Sequence, residues 1–194
     1  MNWAAQYIEE YNAASVDTEV QVPQSDKRQG WCPPSSNSFK VNMDGAVFSN
    51  QKAVRVGVTI RDDRGRLEVA MSMKIHAPFG ALEAEAKAFE AGIIFARDVG
   101  VQDIVLEGDL LIMYRALREL SPSPQSVVSI VEGILDLVKE FRSVQFSHTR
   151  RQGNIFAHIL AKHAFSIADF TVWIEENPYF IKEALIHDLI SLQS

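Results

Sequence analysis

Three acidic residues of this 194-residue chain stand far apart in the sequence, and each adjoins a run of apolar residues. They are Asp44 in KVNMDGAV, Glu85 in ALEAEAKAF and Asp109 in IVLEGDLL. Hard divalent cations such as Mg²⁺ take oxygen ligands, and a metal site is assembled from side chains that meet in space. Carboxylates that converge from separate elements are therefore what divalent-metal phosphoryl chemistry needs.

Each of these acids also has a plainer interpretation. Asp44 fits a strand-end acid that faces solvent, Glu85 fits a solvated helix residue, and Asp109 fits a cap for the helix that follows it. However, an acid buried in a half-apolar strand costs free energy unless it has a partner or an ion. Asp109 also ends a strand, at the edge where ligands of α/β sheets collect. Glu83 and Glu85 lie roughly 200° apart around their helix, so only one of them can face such a site.

The segment HTRRQGNIFAHILAK carries further candidates. His148 closes a predicted strand, and Asn154 follows a glycine and is suited to cap the next helix. His158 lies four residues after Asn154, on the same helix face one turn later. A single histidine on a helix is more often structural than functional, so it is the spacing from Asn154 that marks His158 as a candidate.

The first acid lies in the first of three predicted strands. FKVNMDGAVF and AVRVGVTIRD alternate apolar and polar residues as half-buried strands do, with a short turn between them at residues 49–52. RLEVAMSMKIH follows the turn DDRG as a third strand. Strands joined by tight turns predict an antiparallel meander.

The pattern then changes to alternating helices and strands. Residues 81–99 have an amphipathic helical pattern that ends at Gly100. The later elements, in chain order, are the strand DIVLEGD, the helices LLIMYRALREL and QSVVSIVEGILDLVKEF, the strand VQFSHTR and the helix NIFAHILAKHAFSIA. This order predicts an α/β fold whose mixed five-stranded sheet combines the meander with two parallel strands and carries helices on both faces.

The composition is that of one compact domain with appendages, since 47% of the residues are hydrophobic. Residues 1–37 are predicted to form an N-terminal helix and a linker rich in Pro, Ser, Gln and Gly, and residues 38–168 the domain itself. Residues 169–194 are predicted to be a C-terminal extension that packs on the domain. Its aromatic residues are Phe170, Trp173, Tyr179 and Phe180.

Charge and cysteine content restrict the function classes. The net charge of -6 argues weakly against a nucleic-acid partner, but the acids are concentrated in the flanks of the chain. The single cysteine, Cys32, excludes an internal disulfide and a cysteine-based metal site. The first residues lack the pattern of a secretory signal, and no segment approaches the roughly 20 apolar residues of a membrane span. We therefore expect a soluble intracellular monomer, with nucleus and cytoplasm both left open.

Four motifs together resemble a known family. The order DGA, AEAKA, EGD and HxxRxGNxxAHxLAK is similar to type 1 ribonuclease H, and in particular to its reverse-transcriptase-like domains from plants and non-LTR retroelements. The resemblance runs from about Trp31 to Trp173. Each motif is weak alone, but four in this order on the right elements are a strong signal. The resemblance implies a ribonuclease H-like fold.

The resemblance also implies roles for individual residues. Asp44, Glu85 and Asp109 match three of the family's four metal-binding carboxylates, and Glu85 is preferred over Glu83 because of its small neighbours Ala84 and Ala88. His148 matches a loop histidine thought to assist proton transfer or product release. Arg151 and Asn154 match positions near the substrate backbone, and Gly45 would permit close approach of that backbone. The position of the fourth carboxylate holds His158.

These expectations define three functions. The first is hydrolysis of the RNA strand of an RNA/DNA hybrid by an endonuclease in which Asp44, Glu85, Asp109 and His158 hold Mg²⁺ or Mn²⁺. Because imidazole suits borderline ions better than Mg²⁺, His158 should weaken Mg²⁺ binding and favour Mn²⁺ in relative terms. The second is a domesticated domain that binds nucleic acid with little or no cleavage. The third is a protein-interaction module built on the acidic flanks and the aromatic C-terminal residues.

Overall fold

The computed structural model describes residues 30–48, 53–182 and 184–186. The predicted N-terminal helix, most of the linker and the turn at residues 49–52 lie outside the described residues. Within these ranges the elements are β1 (Phe39–Phe48), β2 (Ala53–Arg61), β3 (Leu67–Ile75), α1 (Ala81–Asp98), β4 (Asp103–Gly108), α2 (Leu111–Leu117), α3 (Val128–Val138), β5 (Ser143–His148), α4 (Ile155–His163) and β6 (Phe170–Ile174). None of the described helices is both long and apolar enough to cross a membrane.

The strands form one mixed sheet in the order β5-β4-β1-β2-β3-β6. β1, β2, β3 and β6 pair antiparallel in succession, whereas β4 runs parallel to both β1 and β5. The predicted meander with two parallel strands is therefore confirmed. The parallel pairs follow from the helical connections, since a chain that crosses over through a helix can return in the same direction.

The prediction of five strands is wrong, because Phe170–Ile174 add a sixth strand to the edge of β3. The sequence FTVWI is rich in aromatic and β-branched residues, which favour strands, and its pairing covers the otherwise open backbone of β3. Of the four aromatic residues after residue 169, Trp173 and Phe180 pack against each other with ring centroids 5.8 Å apart. Phe170 and Tyr179 are exposed.

The two faces of the sheet are covered by different helices. Val41 and Met43 of β1 point to the face covered by α1, whose buried stripe includes Phe89 and Ile93, and helices α2 and α3 extend the same apolar cluster. The opposite face is covered by α4, where Phe156 packs in a second cluster with the described residues of the C-terminal segment. Because both faces are covered, the polar residues of β1 on the α4 side are buried as well.

Helix α4 lies unusually close to β2. A Cβ atom built on Gly57 would lie 2.0 Å from the carbonyl oxygen of Ala157 and 2.4 Å from the backbone nitrogen of Ala161. Glycine is therefore required at this position, because any side chain would displace the helix from the sheet. Gly57 pairs with Asp44 in the neighbouring strand, so the same close approach brings α4 over the first acid.

Candidate metal centre

The three predicted acids meet at one place. Asp44 lies in β1, Asp109 directly follows β4, and Glu85 lies in the second turn of α1. One carboxylate oxygen from each of the three lies within 4.8 Å of the others, which is a distance that one metal ion can bridge. The geometry therefore brings together side chains that are separated by 24 to 65 positions in the chain.

The parallel register explains how the two aspartates become neighbours. Asn42 of β1 is paired with Glu107 of β4, so the residues two positions further on, Asp44 and Asp109, emerge on the same face and side by side. Gly45 then allows α1 to approach, because a Cβ atom at Gly45 would lie 2.4 Å from the carbonyl oxygen of Ala84. The backbone amide of Gly45 donates a hydrogen bond to the carboxylate of Glu85.

The space beside Gly45 is thus occupied by α1. The close approach that glycine permits here serves a helix of the same chain, and contact of Gly45 with a nucleic-acid backbone stays a prediction.

The plainer interpretations of the acids are not what the structure shows. Asp44 is only 5% exposed, so it does not face solvent at a strand end. Helix α2 begins at Leu111 with Leu110 as its N-cap, and no side-chain capping bond is formed, so Asp109 does not serve as the cap. Glu83 points away from the cluster, and hydrogen bonds from its own backbone and from Ser126 lower its pKa.

The acids repel one another. Burial, and after it the charges of Asp44 and Asp109, raise the pKa of Glu85 to about 9. Burial and the charge of Asp44 likewise raise the pKa of Asp109. One carboxylate oxygen of Glu85, Oε2, is buried and has no hydrogen-bond partner within the described part of the chain. With all three carboxylates ionised, the cluster would carry more negative charge than its surroundings balance, and a divalent cation fits this oxygen-only donor set.

His158 does not belong to this group of oxygens but lies against it. Its Nδ1 is 2.9 Å from Oδ2 of Asp44, and its Nε2 is 3.1 Å from Nη2 of Arg151. Both ring nitrogens are thus engaged within the chain, and the ring is only 6% exposed. His158, the predicted fourth ligand, is therefore a hydrogen-bonding partner of Asp44 in this geometry.

The remaining candidates surround the cluster. His148 is exposed, and its Nε2 lies 3.1 Å from the carbonyl oxygen of Asp109, so this nitrogen carries the proton that the carbonyl accepts. Arg151 is also exposed and lies at the edge of the site. Asn154 is 1% exposed, and its Nδ2 donates to the carbonyl oxygen of Met43 at 2.8 Å. This bond ties α4 to β1, and contact of Asn154 with a nucleic acid stays a prediction.

A buried polar network beside the acids was not predicted. Glu107 accepts hydrogen bonds from Lys40 at 2.9 Å, from Asn42 at 3.1 Å and from Ser147 at 2.8 Å. The indole of Trp31 donates to the side-chain oxygen of Asn42 at 2.8 Å. The signal was present in KVNMD, where polar residues alternate with apolar ones. These polar residues require buried hydrogen-bond partners because a helix covers the polar face of this strand.

The fold is ribonuclease H-like, as solved structures of similar fold show. Ribonuclease H1 from the halophilic archaeon Halobacterium salinarum NRC-1 is similar with a TM-score of 0.63 at 23% identity, covering 68% of this chain and 99% of that one. LC11-RNase H1 in complex with an RNA/DNA hybrid has a TM-score of 0.59 at 18% identity, covering 66% of this chain and 99% of that one. A foamy viral protease-reverse transcriptase in complex with an RNA/DNA hybrid has a TM-score of 0.53 at 17% identity, covering 79% of this chain and 23% of that chain.

At these identities the likeness establishes the fold. The family is established by the sequence, because the family model described as reverse transcriptase-like matches residues 42–164. The chain belongs to the reverse transcriptase-like family. Among curated proteins, no significant match was found.

Proposed function

We propose that this protein is a divalent-metal-dependent endonuclease that hydrolyses the RNA strand of RNA/DNA hybrids. The observation that carries this proposal is the convergence of Asp44, Glu85 and Asp109, with carboxylate oxygens within 4.8 Å of one another. Burial, and after it the negative charges of Asp44 and Asp109, raise the pKa of Glu85, and a bound cation would relieve both effects. The choice of polymer is supported by the family and by the RNA/DNA hybrids bound to two of the similar proteins.

The three acids would hold Mg²⁺ or Mn²⁺, since carboxylate oxygens suit both ions. When bound, such an ion stabilises negative charge on the phosphoryl oxygens and lowers the pKa of a water ligand. The part of the protein is to fix the carboxylates before the substrate arrives. Asp44 and Asp109 are fixed by the β1/β4 register, and Glu85 is fixed by the hydrogen bond from the amide of Gly45.

His148 would move a proton at the edge of the site. Its Nε2–H donates to the carbonyl oxygen of Asp109, which leaves the lone pair on Nδ1 as the basic position of the neutral ring. An exposed imidazole can take a proton from water or return one to a leaving oxygen. Arg151, exposed beside the cluster, is suited to contact a phosphate of the nucleic acid.

A second candidate function is a domain that binds nucleic acid but cleaves it very slowly. The observation that favours it is the contact of His158 with Asp44 and Arg151, where the family pattern leads us to expect a fourth carboxylate. Through this contact Arg151 adds a positive charge to the site. The histidine also lacks the negative charge that the expected carboxylate would carry. Both changes weaken the attraction for divalent cations.

A cleavage assay separates the two functions. Purified protein is incubated with a hybrid labelled on its RNA strand, with Mg²⁺ and separately with Mn²⁺, beside the variants Asp44→Asn and Asp136→Asn. Asp136 is an exposed acid outside the cluster that pairs with Lys139, so its variant is the matched control. We expect the wild type and Asp136→Asn to cleave and Asp44→Asn to be inactive.

Cleavage that persists in Asp44→Asn would identify a contaminating nuclease and refute the enzyme. Hybrid binding that weakens steeply with salt, without cleavage in either metal, would instead support the second candidate. If neither cleavage nor hybrid binding is found, both candidate functions are excluded.

A further inference from the structure

We propose that His158 is a positioning residue that couples the guanidinium of Arg151 to Asp44, and that this coupling restricts the metal centre to one divalent ion per chain. The inference deepens the proposed function and rests on the same metal centre. It concerns how many ions the site accepts and what the histidine contributes to it.

The hydrogen-bond donors fix the state of the ring. An arginine side chain has only donors, so Nη2 of Arg151, at 3.1 Å, must donate to Nε2 of His158. Nε2 is therefore unprotonated, and the proton of the neutral ring lies on Nδ1. From there it is donated to Oδ2 of Asp44 at 2.9 Å. One tautomer of a neutral imidazole thus connects a cation on one side to a carboxylate on the other.

The backbone holds this chain of contacts in place. His158 lies in α4, which cannot shift away from Asp44 without losing the close packing on Gly57. Asn154, at the start of the same helix, is bound to the carbonyl oxygen of Met43, the residue before Asp44. For His158 to turn a lone pair toward the three carboxylates, its ring would have to give up both of its present hydrogen bonds.

Charge then limits the number of ions. The three clustered carboxylates contribute three negative charges when ionised, and Arg151 contributes one positive charge that acts on both Glu85 and Asp109. One divalent ion neutralises the remainder. A second ion would have to enter a site without net negative charge, where it would be repelled by the first ion and by Arg151.

The coupling can be tested without nucleic acid. In protein labelled with ¹⁵N-histidine and freed of metal, NMR should show the Nδ1–H tautomer for His158, and Arg151→Gln should shift the population toward the other tautomer. Titration calorimetry with Mn²⁺ should give one ion per chain for the wild type. We expect Arg151→Gln to bind this ion about tenfold more tightly because a nearby positive charge is lost. Arg150→Gln, which removes an exposed charge one position away, should bind as the wild type does.

Direct coordination is examined with ¹¹³Cd²⁺, whose one-bond coupling to ¹⁵N reports a metal–nitrogen bond. Such a coupling at His158, an Nε2–H tautomer in the metal-free protein, or two Mn²⁺ ions per wild-type chain would each overturn the inference. The proposed nuclease can fail separately, because these results do not depend on hybrid cleavage. If no Mn²⁺ binds, the metal centre and its one-ion limit are both refuted, and the tautomer result alone decides whether His158 couples Arg151 to Asp44.

Discussion

Replacing Glu85 by glutamine should stabilise the metal-free protein. The folded state raises the pKa of this carboxyl from 4.5 to about 9, through burial and the charges of Asp44 and Asp109. Between these two pH values the unfolded chain has released the proton that the folded chain retains. The unfolded state therefore binds fewer protons, and the free energy of unfolding falls as the pH rises.

The magnitude follows from the pKa shift. One pKa unit corresponds to about 1.4 kcal/mol, and pH 7 lies 2.5 units above 4.5, so retaining the proton on Glu85 disfavours the folded state by about 3 kcal/mol at pH 7 relative to the unfolded chain, which releases it. Glutamine keeps the shape of the side chain and does not ionise. The variant should therefore be about 3 kcal/mol more stable at pH 7, or roughly 6 to 12 °C higher in Tm for a chain of this size. The gain should vanish near pH 4.5 and increase toward pH 9.

Urea unfolding in EDTA, followed from pH 5 to pH 9, measures this difference directly. Glu83→Gln is the matched control two residues away on the same helix. Because hydrogen bonds lower the pKa of Glu83, its loss should bring no gain in stability. In the wild type, Mg²⁺ should reverse the effect by ionising Glu85, with release of about one proton per bound ion at pH 7. Equal stability of Glu85→Gln and the wild type across this pH range would refute the electrostatic reasoning.

Three further substitutions test other parts of the structure. Glu107→Gln leaves the buried ammonium of Lys40 without its ion-pair partner and should lower the free energy of unfolding by about 3 to 5 kcal/mol, as measured by urea titration. Gly57→Ala places a methyl group against the carbonyl oxygen of Ala157 and should cost about 1 to 3 kcal/mol and weaken Mn²⁺ binding, measured by calorimetry. His148→Ala should lower kcat on the hybrid about 10²-fold while Mn²⁺ affinity is retained, because this side chain contacts the cluster only through a backbone carbonyl.

The pairing of Asp44 with Asp109 was within reach of the sequence. In the antiparallel meander β1 runs in the same direction as β3, and a helical crossover joins β3 to β4. β1 and β4 are therefore parallel, and acids at comparable positions along them emerge together. Helical periodicity alone could not select Glu85. It showed only that Glu83 and Glu85 cannot share one face of the helix. What selects Glu85 physically is the approach of α1 to Gly45, which depends on tertiary packing between elements far apart in the chain.

Other features depended on contacts that local patterns do not encode. The strand Phe170–Ile174 has the composition of a strand, but it pairs with β3, about 100 residues earlier. The contact between Arg151 and His158 spans the junction of a 3₁₀ turn at Arg151–Asn154 with α4, and the sequence pattern does not predict that turn. In both cases the residue types were informative, but the sequence did not reveal which residues they would contact.

The polar side of β1 explains why the metal centre lies where it does. Lys40, Asn42 and Asp44 form a continuous polar row that α4 and its neighbours bury. Glu107 pairs with the first two of these residues, so that part of the row is balanced by fixed partners. At Asp44 the row meets two more carboxylates, and the guanidinium of Arg151, which reaches Asp44 through His158, balances only part of their charge. This end of the row is where ionised carboxylates destabilise the fold, and for the same reason it is where a divalent cation would be bound most strongly.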